Sequence, residues 1–338
     1  MSIKSTAQPR GRQLLNTMIR WVDSEAEPYS ANTDPETQHK INWVRCIPFL
    51  VVHLACLGVI WTGWSATAIW FCLGFFWLRM FAVTAFYHRL FSHRTYKTNR
   101  AWQFVFAVIG NASCQRGPLW WASHHRKHHK HSDQEEDLHS PVAHGFWFSH
   151  VGWFMSEAGF KTDYSVIKDL ARFPELRFLN RFDVLVPAVF AVLIFGLGEL
   201  IGSLWPETGT NGWQMLVWGF FISTTLLFHA TFTINSLGHV WGSRRFKTKD
   251  QSRNNPWLAL LTLGEGWHNN HHRFAVSTRQ GFYWWEVDIS YYLLKLFSFL
   301  GIVSDLNPVP VRILEEGKQS AASADRKQIK GIANDEFS

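Results

Sequence analysis

Nine of the chain's 17 histidines fall in a pattern that metal chemistry explains better than surface charge. His88 and His93 stand in His-Arg-Leu-Phe-Ser-His. His125, His128 and His129 stand in His-Arg-Lys-His-His, and His268, His271 and His272 in His-Asn-Asn-His-His. His239 closes Asn-Ser-Leu-Gly-His, four residues after Asn235. Residues at i, i+3 and i+4 share a helix face, so each triplet can converge on one point, as can Asn235 and His239. His88 and His93 are five apart, about 140° out of register on a regular helix, and need neighbouring positions or a helix end between them. Imidazole serves Zn, Cu, Fe and Ni alike. Nine such ligands exceed what one ion takes, so two metals are the economical count. Taken singly, His39, His53, His124, His131, His139, His144, His150 and His229 read as ordinary surface or packed histidines. Asp133, Glu135, Glu136, Asp137 and Glu265 are the acids placed to accept the remaining imidazole N–H groups.

The elements that must position these clusters are apolar helices. Four runs, 47–64, 65–86, 184–205 and 213–235, approach the roughly 20 residues that cross about 30 Å of hydrocarbon. Trp61, Trp64, Trp205 and Trp213 lie at their ends, where indole prefers the interface. The links inside each pair, 62–65 and 202–211, hold no Lys or Arg. Arg10, Arg12, Arg20, Lys40 and Arg45 precede the first run, and Arg89, Arg94, Lys97, Arg100, Arg126, Lys127 and Lys130 follow the second. The positive-inside rule then makes both termini and the middle loop cytoplasmic. This topology accounts for the net charge of +7 without nucleic acid. Two of the runs continue, 65–88 and 213–239, for roughly 35 to 40 Å and would project beyond the bilayer. The apolar run 102–112 is too short to span and reads as an interfacial helix.

The expected fold is therefore an all-α integral membrane protein. Four transmembrane helices in two hairpins carry a cytoplasmic helical cap, 87–183 and 236–314, holding a histidine-rich dimetal site. Residues 1–40 read as a polar mobile tail with no secretory signal, 41–314 as the membrane domain, and 315–338 as a disordered tail. Cys46, Cys56, Cys72 and Cys114 form no CxxC and imply neither a disulfide framework nor a cysteine metal site.

HRLFSH, HRKHH, NSLGH and GEGWHNNHH, in this order around two helical hairpins, resemble the membrane fatty acyl desaturases of the stearoyl-CoA (Δ9) type. The likeness covers roughly 40–310, with FFWLRM before the first box, FSHVGW at 148–153 and DQSRNNP at 250–256. It implies a bacterial member in the inner membrane rather than the endoplasmic reticulum. The implied enzyme uses two iron ions, O2 and two external electrons to place a cis double bond in a saturated acyl chain. The family's metal ligands fall on His88, His93, His125, His128, His129, His239, His268, His271 and His272, and Asn235 matches the position holding a metal-bound water. Gln115, Trp121 and Thr231 match tunnel residues, and Phe232 stands where animal members usually have a tryptophan. At the headgroup end the chain departs from the animal pattern. Ser156-Glu157 occupies the place of an Arg-Lys pair that meets CoA, and Ser123-His124 replaces an Arg-Asp. Arg116, Arg126 and Lys127 are the remaining basic candidates for carrier phosphates, so acyl-CoA and a phospholipid acyl chain both stay open. No His-Pro-Gly-Gly motif occurs, and electrons are expected from a separate ferredoxin, rubredoxin or cytochrome b5 type protein with its reductase.

Two other readings bear on the same residues. A membrane hydroxylase or alkane monooxygenase would share the oxidant and leave oxygen on carbon. A His-rich metal transporter would set its polar ligands within the spans, whereas here the boxes follow them.

Overall fold

The computed structural model describes residues 10–26 and 39–320. Most of these are helical, and the only paired strands among them are Lys97–Thr98 and Val303–Ser304, antiparallel. The chain divides into two compact units. The first comprises Met1–Ala82, Phe104–His124 and Val151–His229, the second Val83–Gln103, His125–His150 and Ala230–Ser338.

Among the described residues three helices are long and apolar enough to cross a membrane: Ala66–Ser92, Leu185–Leu204 and Gly212–His239. They match the second, third and fourth expected spans. The first expected span is shorter than the rest: Ile47–Thr62 is helical for 16 residues, interrupted by a 3-10 turn at Cys56–Gly58. The expected interfacial run is the helix Arg100–Asn111.

Within the first unit, small residues let backbones approach. A Cβ on Gly198 would come within 2.6 Å of both the Asn211 carbonyl oxygen and the Met215 Cβ, and one on Gly202 within 2.3 Å of the Thr210 carbonyl oxygen. Ala68, Ile194, Ile201 and Met215 form the apolar cluster where these helices meet. The reversal before Ala66 uses Gly63 at φ +64°, which a side chain would strain. Ser65 then caps the next helix by accepting the Ala68 N–H at 3.1 Å.

The second unit carries the unusual element. From Ala82 to Ser92 the helix is π-wound, with i→i+5 hydrogen bonding. Phe148–Gly152 is also π-wound, as is Leu216–Ile222 in the helix Gly212–His239, a stretch of the first unit.

Parts of the expected tails have structure. Arg10–Ile19 is helical, and the Asp23 carboxylate takes a forked pair of bonds from Arg181 at 2.9 and 2.7 Å. Residues 311–320 are helical, so the expected tail boundary at 315 falls inside a helix, where Glu316 meets Arg273 at 2.8 Å. The remainder of both expected tails, 1–9, 27–38 and 321–338, lies outside the described residues.

Candidate metal centre

The π winding settles how His88 and His93 relate. Its hydrogen bonds span five residues, and the His93 N–H reaches the His88 carbonyl at 3.2 Å. The two rings thus come to the same side, their centroids 4.9 Å apart. His125, His128 and His129 lie on Pro118–His131, His239 ends the 3-10 turn after Ser223–Ser236, and His268, His271 and His272 form one short helix, His268–Arg273. The structure draws the nine into two groups. His88, His93, His125, His129 and His271 surround one point, and His128, His239, His268 and His272 another, ligand atoms within each group lying within 4.8 Å of one another.

All nine present Nε2 inward. The closest Nε2 pairs are His93 with His125 at 2.7 Å, His129 with His271 at 2.9 Å, and His88 with His271 at 3.0 Å. In the second group they are His239 with His268 at 3.1 Å and His128 with His272 at 3.3 Å. Nitrogens bound at about 2.1 Å to one ion would stand about 3.0 Å apart at right angles, so the spacing fits a shared cation in each pocket.

The Nδ1 atoms meet carboxylates. Asp137 accepts from His128 at 2.8 Å, Asp133 from His239 at 2.9 Å and Asp250 from His272 at 2.8 Å, while Glu265 is in close contact with His88 Nδ1. Such partners fix the tautomer by holding the proton on Nδ1. With Nδ1 donating to these acids, His128 and His272 turn Nε2 toward each other at 3.3 Å, where a shared cation, or the proton that Asp137 favours on His128, relieves the lone-pair repulsion. Burial alone would raise the Asp137 carboxyl, but the His128 and His139 imidazoles outweigh it and hold it well below the carboxylate range. The His272 imidazole opposes burial at Asp250 in the same way. Burial, with mutual repulsion, pushes His93, His125, His129, His268 and His271 well below the usual imidazole range, and His272 down to about 4. Neutral imidazole is the ligating form.

Of the five acids singled out from sequence, Asp133, Asp137 and Glu265 hold imidazoles. Glu135 and Glu136 are exposed, and Glu135 offers only its carbonyl, to His144. Asp250 is the acid that sequence reasoning missed. It lies 22 residues from its imidazole. The Asn pair inside His-Asn-Asn-His-His carries the connection. Asn269 Oδ1 accepts the Arg245 and Phe246 N–H groups at 2.9 and 2.7 Å, and Asn270 exchanges bonds with Asn254 at 2.7 and 3.1 Å, fastening segment 243–254 beside the helix. The Asp that opens the DQSRNNP run, whose carboxylate accepts the Ser252 N–H two residues on, was the available signal.

Asn235 stands one turn before His239. Its carbonyl accepts Ser149 Oγ–H at 3.1 Å, and its side-chain amide makes no hydrogen bond to the protein among the described residues. Gln115 and Trp121 belong to the first unit, joined by an indole N–H to Gln115 Oε1 contact at 3.4 Å. Thr231 and Phe232 belong to the second, the Phe232 ring edge-on to His150 at 5.8 Å. His139, read singly as ordinary, packs its ring 4.4 Å from that of His128.

The basic candidates for a phosphate are largely engaged. Arg116 pairs with Asp183 at 2.6 Å, and Arg126 donates to the Phe91 and Ser92 carbonyls at 2.8 and 2.9 Å. Ser156 is fully buried, and Glu157 takes the Asn42 amide at 2.6 Å.

A fatty acid desaturase family model matches residues 26–296. The chain belongs to the fatty acid desaturase family. This desaturase is 34% identical over 273 residues to an sn-1 stearoyl-lipid 9-desaturase of Anabaena variabilis, covering 80% of this chain and 95% of that one. It is 36% identical to an acyl-CoA C20 Delta5-desaturase of Anemone leveillei over 86% of this chain and 93% of the other. It is also 36% identical to Delta-9 acyl-lipid desaturase 2 of Arabidopsis thaliana, over 79% and 83%. The enzyme is thus an oxidoreductase of lipid metabolism.

Proposed function

We propose that this desaturase is a di-iron, O2-dependent enzyme of four transmembrane spans that introduces a cis double bond at Δ9 into a saturated acyl chain carried on a membrane lipid. The observation that carries the reading is the pair of closed imidazole pockets, five and four Nε2 atoms with no carboxylate among the inward ligands. Side chains alone cannot take hydrogen from an unactivated methylene, and a bound pair of redox metal ions would supply that chemistry from O2. The balance is one acyl –CH2–CH2– unit, O2, two electrons and two protons giving –CH=CH– and two waters.

In this reading His88, His93, His125, His129 and His271 hold one ion and His128, His239, His268 and His272 the other. The Asn235 amide holds a water at the position that lacks a fifth imidazole. Asp133, Asp137, Asp250 and Glu265 keep the rings turned inward. Gln115 and Trp121 of the one unit, and Thr231 and Phe232 of the other, are the side chains expected to meet the acyl chain. A lipid carrier is favoured over CoA because Glu157 stands where animal members carry a base and Arg116 is already paired. The names of two of the three relatives described above, both acyl-lipid 9-desaturases, support the carrier and the position. Both termini and the histidine-bearing unit face the cytoplasm of a bacterial cell, where the basic surface receives an acidic electron carrier of ferredoxin, rubredoxin or cytochrome b5 type.

Expression in a host lacking unsaturated fatty acids tests this. The expected product is a phospholipid acyl chain two hydrogens lighter than its precursor, with its double bond at carbon 9. A chain heavier by one oxygen would make the enzyme a hydroxylase, and label appearing first in acyl-CoA would overturn the lipid carrier.

A further inference from the structure

The two imidazole pockets differ in what stands behind them. Behind the four-imidazole pocket are three carboxylates: Asp137 on His128, Asp133 on His239 and Asp250 on His272. Asp137 is 1% exposed and Asp250 7%. Beyond these imidazoles Asp133 and Asp250 accept only from neutral groups, while Asp137 also lies 3.7 Å from His139 Nδ1. Asp133 accepts Ser140 Oγ–H at 2.7 Å and the Gln251 N–H at 2.6 Å, Asp250 accepts Thr248 Oγ–H at 3.0 Å and the Ser252 N–H at 2.9 Å, and Asp137 accepts the Asp133 N–H at 3.1 Å. Among the described residues, no Lys or Arg forms an ion pair with any of the three.

Behind the five-imidazole pocket, among the described residues, one carboxylate meets a ligand imidazole, Glu265, and it is paired with an arginine. The fully buried Arg89 reaches Glu265 at 3.2 Å and Asp288 at 3.0 Å. On the other side, the Arg126 guanidinium lies against the Phe91 and Ser92 carbonyls immediately before His93. One arginine thus stands against Glu265 and Asp288 and leaves a single net negative charge behind this pocket, whereas no Lys or Arg answers the three carboxylates behind the other.

A buried charge acts through a low local dielectric and is screened little. Loss of one electron by a bound ion adds one positive charge at its position. Three carboxylates with no Lys or Arg beside them favour that change more in one pocket than the single net negative charge does in the other. Resting on the di-iron reading above, we propose that Asp133, Asp137 and Asp250 make the four-imidazole pocket the position of lower reduction potential. The ion held there gives up its electron first and regains it last.

The test uses the full-length, 57Fe-loaded enzyme in detergent or nanodiscs, poised stepwise with redox mediators and read by Mössbauer spectroscopy. The expected course is two one-electron steps, with one ferric and one ferrous doublet coexisting between them. Asp250→Asn, which keeps a hydrogen-bond acceptor for His272 and removes the charge, raises only the lower of the two potentials, and Asp250→Glu restores it. Glu265→Gln raises only the higher. Should Asp250→Asn lose iron, Asp133→Asn carries the same expectation. Both ions titrating together in the wild type, or Asp250→Asn moving the higher potential, overturns the inference. Fewer than two irons in the active wild type would instead bring down the di-iron reading itself.

Discussion

His271 is the residue on which the five-imidazole pocket turns, because its Nε2 lies within 3.0 Å of both His88 and His129. His271→Ala should abolish desaturation and lower the iron content while membrane insertion is unchanged; an active His271→Ala enzyme would remove it from the ligand set. The carboxylates are expected to matter nearly as much. Asp137→Asn should cost about 10- to 100-fold in iron affinity, read by competition with a chelator, and an unaltered affinity would leave Asp137 a merely structural acid. The buried imidazoles also set a pH dependence. In the metal-free protein, His93, His125, His129, His268 and His271 take up protons far less readily than in the unfolded chain, where imidazole titrates near 6.5. The unfolded state then binds more protons below that value, so stability is full above about pH 6.5 and falls as the pH drops. The melting temperature of metal-free protein should decline on acidification from pH 7 to 5. A flat profile over that interval would mean that the imidazoles are not buried together.

At the scale of elements, the spanning helices depend on close backbone approach. Gly198 leaves no room for a Cβ beside Asn211 and Met215, so Gly198→Leu should destabilise the Leu185–Leu204 and Gly212–Met215 pair by about 1–3 kcal/mol through overpacking. Thermal unfolding in detergent measures this, and an unchanged midpoint would mean that the helices pack otherwise. How much of this was legible in the sequence differs by element. The triplets at i, i+3 and i+4 were readable because α-helical spacing fixes a shared face. His88 and His93 were not, since nothing in His-Arg-Leu-Phe-Ser-His announces a π winding, and regular geometry set them about 140° apart. Asp133, Asp137 and Glu265 were within reach because each stands within ten residues of a histidine box, although Glu265 pairs with the distant His88. Asp250 escaped because its route to His272 runs through the Asn254 and Asn270 contact, which local spacing does not encode. The apolar runs located the three long helices closely. The break at Cys56–Gly58 in the first run followed from no composition signal.

At the scale of the molecule, all nine imidazoles and their four carboxylates fall within one of the two units, although three sequence-distant stretches supply them. The long apolar helices Ala66–Ser92 and Gly212–His239 each end in a histidine-bearing segment, which ties the site to the elements that would hold a membrane. Substrate and electrons must both reach that unit, and the family, the helices and the pockets all point to acyl-chain chemistry at a bilayer. The central claim is that the two pockets hold two irons. Elemental analysis of purified, catalytically active enzyme measures this most directly. Two irons per chain are expected; active material with one iron, or with none, would contradict a dimetal site.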